Sequence, residues 1–113
     1  MSSVDAANPW LRGILEPCLL SLLSHGEAYG YQLSNELERL GIGRVAGGTL
    51  YPALLRLEHQ ELVVAEWRSG EGGPGRKYYR TTPLGRSELR AIQARWVEFS
   101  TAIGDLLEAG VRR

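Results

Sequence analysis

Gly48-Thr49-Leu50-Tyr51-Pro52-Ala53-Leu54-Leu55-Arg56-Leu57-Glu58 is the stretch on which the reading of the whole chain turns. Leu50, Leu54 and Leu57 recur at i, i+4 and i+7, the spacing that gathers apolar side chains on one helical face. The spacing predicts a helix over residues 49–60. At about 100° per residue, the opposite face holds Gly48, Thr49, Pro52, Arg56 and His59. With Thr49 as N-cap, the N–H that Pro52 lacks would fall among the first-turn groups that have no intrahelical partner.

Downstream, residues 62–68 (LVVAEWR) read as a strand, residues 69–75, with four glycines and a proline, as a loop, and residues 76–82 as a second strand. Together they predict a β-hairpin with a flexible tip. Upstream, two more helices are predicted. Leu11, Ile14, Leu15, Cys18, Leu19, Leu22 and Leu23 keep helical spacing, with Pro17 either opening the regular helix or kinking it. A helix over residues 29–40 carries Leu33, Leu37 and Leu40 and ends at Gly41. After the hairpin, Thr82 is a candidate N-cap, Pro83 suits the first helical position, and a long helix runs to about residue 109. Its residues Leu89, Ile92, Trp96, Phe99, Ile103 and Leu106 alternate steps of three and four, a heptad seam. One helix cannot bury such a seam alone. A second copy of the chain is the expected cover, and the first helix of the same chain is the alternative.

Three helices, a hairpin and a long helix give a mainly α fold with a small β-hairpin, in the order of a winged helix-turn-helix. The expected organisation is a flexible N-terminus over 1–9, a winged-helix DNA-binding domain over 10–82, and a C-terminal dimerisation helix over 83–113.

Composition allows this reading. The chain has 113 residues, 43% hydrophobic and 23% charged, which suits one soluble domain. No apolar run approaches the roughly 20 residues of a membrane span. Residues 1–9 lack a basic region followed by an apolar stretch, so no signal peptide is expected. With Cys18 as the one cysteine, a cytoplasmic location follows as an expectation. Net charge is zero, which at first argues against a nucleic-acid partner. Yet residues 67–90 hold six bases against two acids, a net +4 that the remainder balances with −4. Twelve of the thirteen bases are Arg, the residue suited to bidentate phosphate and guanine contacts, although a GC-rich genome produces the same bias.

Enzyme constellations are missing from the sequence. Gly70–Gly75 fits G-x-G-x-x-G but precedes a strand, and Gly41–Ala46 fits the variant ending in Ala but follows a helix, so neither sets a helix N-terminus under a pyrophosphate. His25 and His59 stand apart with no metal-ligand spacing, and Cys18 lies on an apolar helical face. No enzyme activity, cofactor or metal is expected.

The blocks Leu11-Arg12-Gly13-Ile14-Leu15-Glu16, Tyr29-Gly30-Tyr31-Gln32-Leu33, Thr49-Leu50-Tyr51-Pro52, Arg76-Lys77-Tyr78-Tyr79 and Thr82-Pro83-Leu84-Gly85 together resemble the PadR family of transcriptional regulators over residues 10–110. The resemblance implies a recognition helix in the major groove and a wing on the backbone or minor groove. It also implies a homodimer on a pseudo-palindromic operator, usually a repressor. Double-stranded DNA is then the partner. Thr49 and Arg56 are the candidate readers, Arg56 for guanine or phosphate, with Pro52 on the same face. Gly47 and Gly48 would let the backbone approach a phosphate. Tyr51 and Tyr31 are phosphate candidates with packing as the alternative. Arg76, Lys77 and Tyr79 complete the set, although strand alternation makes one of Tyr78 and Tyr79 core. Arg68 and Arg80 can instead pair with Glu66. Some family members sense aromatic compounds, and Trp96 with Phe99 offers a slot for a flat aromatic effector, or simply fills the dimer core. A winged-helix protein-interaction module without DNA binding is the alternative function, since residues 27–61 carry five acids against three bases. Four positions depart from the family pattern: Ala46 for a serine cap, Glu61 for glycine, Pro17 for a helix former and Thr81 for an apolar strand residue. If position 61 needs positive φ, Glu61 costs about 1 kcal/mol.

Overall fold

The computed structural model describes residues 8–70 and 72–113. Of the N-terminal segment expected to be flexible, residues 1–7 lie outside the described residues, as does Glu71 of the expected loop. The element order is α1 (Leu11–Ser24), β1 (Ala28–Tyr29), α2 (Gly30–Arg39), α3 (Gly47–His59), β2 (Val63–Gly70), β3 (Gly73–Thr81) and α4 (Pro83–Val111). The strands form one antiparallel sheet in the order β1-β3-β2. Among the described residues no helix is long and apolar enough to cross a membrane.

The core is built on leucine. Leu11, Leu15, Leu19, Leu20 and Leu23 of α1 meet Leu33 and Leu37 of α2, Leu50, Leu54 and Leu57 of α3, and Val63 and Tyr79 of the sheet. Leu40, expected in the α2 stripe, is instead exposed just past that helix's end. Pro17 lies inside α1 rather than opening it. The carbonyl it deprives of a helical donor belongs to exposed Gly13, where water can serve. Thr81 is buried, and its hydroxyl donates to the Leu20 carbonyl at 3.1 Å, so a polar residue fits this apolar position with its hydrogen bond made.

Three expectations are corrected. First, α3 starts at Gly47 with Ala46 as N-cap, so Thr49 is not the cap and Pro52 is an interior residue. Ala46 has no side-chain oxygen to bind a first-turn N–H. Second, the loop expected over residues 69–75 is largely strand, with Gly70 opposite Gly73. A two-residue connection ending in glycine suffices for a hairpin, and Gly72 has φ 67°. Glycine-rich composition marked the turn without marking its ends. Third, Tyr29, assigned to the second helix, instead forms β1 with Ala28, standing opposite Tyr78. A two-residue strand has no periodicity of its own and exists through its partner.

The joints between elements are specific. α3 ends in a Schellman turn: Leu62 N–H donates to the Leu57 carbonyl at 3.0 Å and Glu61 N–H to the Glu58 carbonyl at 2.9 Å. Glu61 sits at the left-handed position with φ 62°, the strained geometry anticipated for this non-glycine. α4 begins on that turn. The Thr82 hydroxyl donates to the Glu61 carbonyl at 2.7 Å and accepts from Gly85 N–H at 3.0 Å, the cap the sequence predicts. Gly85 passes so close beneath that a Cβ there would stand 2.1 Å from the Leu62 carbonyl oxygen.

Candidate nucleic-acid interface

The outward face of α3 follows from its inward one. Leu50, Ala53, Leu54 and Leu57 are buried, and so Gly48, Thr49, Pro52, Leu55, Arg56 and His59 are left exposed. The N–H groups of Gly47 and Gly48 precede the first bond of the helix, Thr49 N–H to the Ala46 carbonyl at 2.9 Å. Tyr31, 66% exposed at the start of α2, stands at the same end of the helix pair.

Several residues expected to touch DNA are engaged elsewhere. Tyr51 lays its ring against Gly30, the first residue of α2, where a Cβ would come within 2.5 Å of the tyrosine oxygen. It therefore packs on α2, close also to Tyr79 of β3, with the ring still half exposed. Arg56 Nε donates to Glu16 Oε2 of α1 at 2.7 Å, although the side chain remains exposed. Lys77 Nζ donates to Glu58 Oε1 at 3.1 Å and lies over the Tyr79 ring, which ties β3 to the end of α3. The hydrogen bond to Glu58 raises the Lys77 pKa above its ordinary value. Tyr79 is only 4% exposed, and burial pushes its hydroxyl pKa up. It is a core residue and is withdrawn from the expected DNA set, because alternation along β3 turns it inward with Thr81.

The outer face of the sheet carries a second set of contacts. Arg76 stacks on Tyr29 at 4.5 Å, Tyr29 meets Tyr78 edge-on at 5.3 Å, and Arg68 covers Tyr78 at 4.6 Å. Arg68 grips Glu27 through both guanidinium amines, and that hydrogen bond holds the Glu27 carboxyl below the usual carboxylate range. The expected pairing with Glu66 is secondary: 3.5 Å from Arg68 and 4.0 Å from Arg80. Arg56, Arg68 and Lys77 are thus each matched with a carboxylate outside the hairpin, Glu16, Glu27 and Glu58.

Two exposed residues were missed by sequence reasoning. Leu55 is 47% exposed on the outward face of α3, off the Leu50-Leu54-Leu57 stripe. Trp67 is 70% exposed and pairs in register with Lys77, so it emerges on the α3 side of the hairpin. Helical and strand periodicity carried both signals.

The seam of α4 divides. Leu89 and Ile92 are half-buried against the chain's own core, whereas Trp96, Phe99, Ile103 and Leu106 are exposed. Trp96 and Phe99 lie with ring centroids 6.5 Å apart.

Residues 19–91 match the model of the family described as "Transcriptional regulator PadR-like family". A transcriptional regulator of Mycobacterium tuberculosis is 47% identical over 73 residues, covering 62% of this chain and 66% of that protein. The crystal structure of a PadR family transcriptional regulator from Eggerthella lenta superimposes with a TM-score of 0.77 at 43% identity, over 86% of this chain and 84% of the other. Bacillus subtilis PadR in complex with operator DNA shares the fold, with a TM-score of 0.66 at 24% identity over 71% of this chain and 46% of that one.

Proposed function

The chain belongs to the PadR-like family of transcriptional regulators, and from that premise we propose that it binds a pseudo-palindromic operator as a homodimer and represses from it. The observation that carries this reading is the uncovered outward face of α3, with the wing fixed beside it through Lys77 and Glu58. In the proposal this helix enters the major groove. Gly47 and Gly48 offer N–H groups to a phosphate, while Thr49 and Pro52 face the bases. Tyr31, Tyr51 and Arg76 contact the backbone. Arg56, its Nε held by Glu16, keeps its terminal amines for a phosphate.

Two copies join through the distal part of α4, where Trp96, Phe99, Ile103 and Leu106 lack cover in one chain. A small aromatic effector enters between Trp96, Phe99 and their counterparts in the second copy and releases the operator. Promoter duplex titrated with the full chain should show two protected half-sites related by a dyad, and affinity falling steeply with salt. Weak, salt-insensitive binding would favour a protein-interaction module instead. For the effector, quenching of tryptophan fluorescence by aromatic compounds should disappear in Trp96→Leu; an unchanged response removes that part of the proposal.

A further inference from the structure

Gly48, Pro52, Leu55 and His59 follow one another at steps of four, three and four, so they form one row along the exposed side of α3. Thr49 and Arg56 flank the row on one side and Tyr51 on the other. Between Gly48 and His59 the row carries no side-chain hydrogen-bond donor or acceptor. Arg56, the nearest cation, is drawn sideways to Glu16 of α1. Resting on the DNA-binding reading above, such a row cannot make the bidentate arginine–guanine or amide–adenine pairs that commonly read the major groove. What it can match is the one apolar group on the base edges, the C5-methyl of thymine.

We infer that Leu55 and Pro52 read thymine methyl groups, so that each operator half-site carries thymine where the middle of α3 crosses it. Leu55 is the specificity-determining residue of the pair. Its side chain is about half exposed in the free chain and is buried by the methyl in the complex. Pro52 adds a rigid apolar surface one turn earlier and has no N–H to return to the Gly48 carbonyl. The neighbouring residues suit a helix seated in the groove: glycines at its N-terminus, a threonine beside the row, and wing cations Arg76 and Arg80 exposed on the hairpin.

The test uses the full chain and a random duplex library carried through repeated rounds of binding. Thymines in the enriched duplex are then replaced one position at a time by uracil, which removes the methyl and leaves base pairing intact. One position in each half-site should lower affinity by about fourfold, the factor that burying one methyl group is worth. Leu55→Ala should bind the thymine duplex less tightly and lose the thymine–uracil difference at that position, to less than about twofold. Alanine is the best helix former and position 55 is outside the core, so helix content and thermal stability should stay at the unsubstituted level. An enriched duplex indifferent to uracil at every position overturns the inference and leaves the DNA-binding reading standing. So does a Leu55→Ala chain that keeps the full thymine preference. Failure to enrich any duplex overturns the DNA-binding reading and the inference with it.

Discussion

The two halves of α4 share one heptad pattern and live in different surroundings. The first half is joined to the body of the chain: Thr82 caps it, Gly85 lies under the Leu62 carbonyl, and Leu89 and Ile92 rest on the core. The second half, from Trp96 onward, carries the same alternation of large apolar residues into solvent, with Phe99 61% exposed. A seam read from sequence therefore reports which face is apolar and not what covers it. The proximal half answers to intrachain packing and the distal half, in the proposed dimer, to association, so substitutions in the two should behave differently.

The largest effect is expected at Gly85. A methyl there meets a backbone oxygen at 2.1 Å, and neither partner is the mobile end of a side chain. Gly85→Ala should force α4 away from the α3–β2 turn and cost about 3 kcal/mol or more. Urea unfolding would measure it, and a loss under about 1 kcal/mol would mean that the proximal half is not fixed by this contact.

Next comes the contrast within the seam itself. Phe99→Asp should cost about 2 kcal/mol or more of association by placing a charge on the distal face. Sedimentation should then show a monomer with unchanged helix content. Leu89→Ala should remove about 1–2 kcal/mol of stability, because its side chain is half-buried in the chain's own core. That loss should be independent of protein concentration in thermal melts. If both variants lower association, the surface joining two copies extends into the proximal half and the two halves do not differ in this way.

The same contrast shows what the sequence could tell. Helix order, the hairpin and the Thr82 cap were legible because each depends on residues within a few positions of one another, whereas the strain at Glu61 was legible only through the resemblance, which puts glycine there. The fate of the signature residues was not. Tyr51, Arg56 and Lys77 look like a DNA-contacting set when read along the chain. In space they join α3 to Gly30, Glu16 and β3. Their partners lie 21, 40 and 19 positions away along the chain, Lys77 meeting Glu58. No local pattern encodes such distances. Leu55, by contrast, lies off the apolar stripe of α3, which helical periodicity alone shows, and it became a site candidate once its neighbours were placed.

The smallest expected effect tests the turn that anchors the proximal half. Glu61 occupies the left-handed position of the Schellman turn, where a side chain costs about 1 kcal/mol or slightly more. Its carbonyl, not its side chain, accepts the Thr82 hydroxyl, so a glycine there keeps the cap. Against the relief of strain stands the added freedom of glycine in the unfolded chain, roughly 0.5–1 kcal/mol. Glu61→Gly should therefore stabilise the chain by a few tenths of a kcal/mol up to about 1 kcal/mol, read as a higher midpoint in urea with an unchanged slope. Because the change acts on the proximal joint, the association constant measured by sedimentation should not move. A shift in association without a shift in stability would mean that the turn orients the distal half of α4, and that the two halves are coupled through the helix rather than independent.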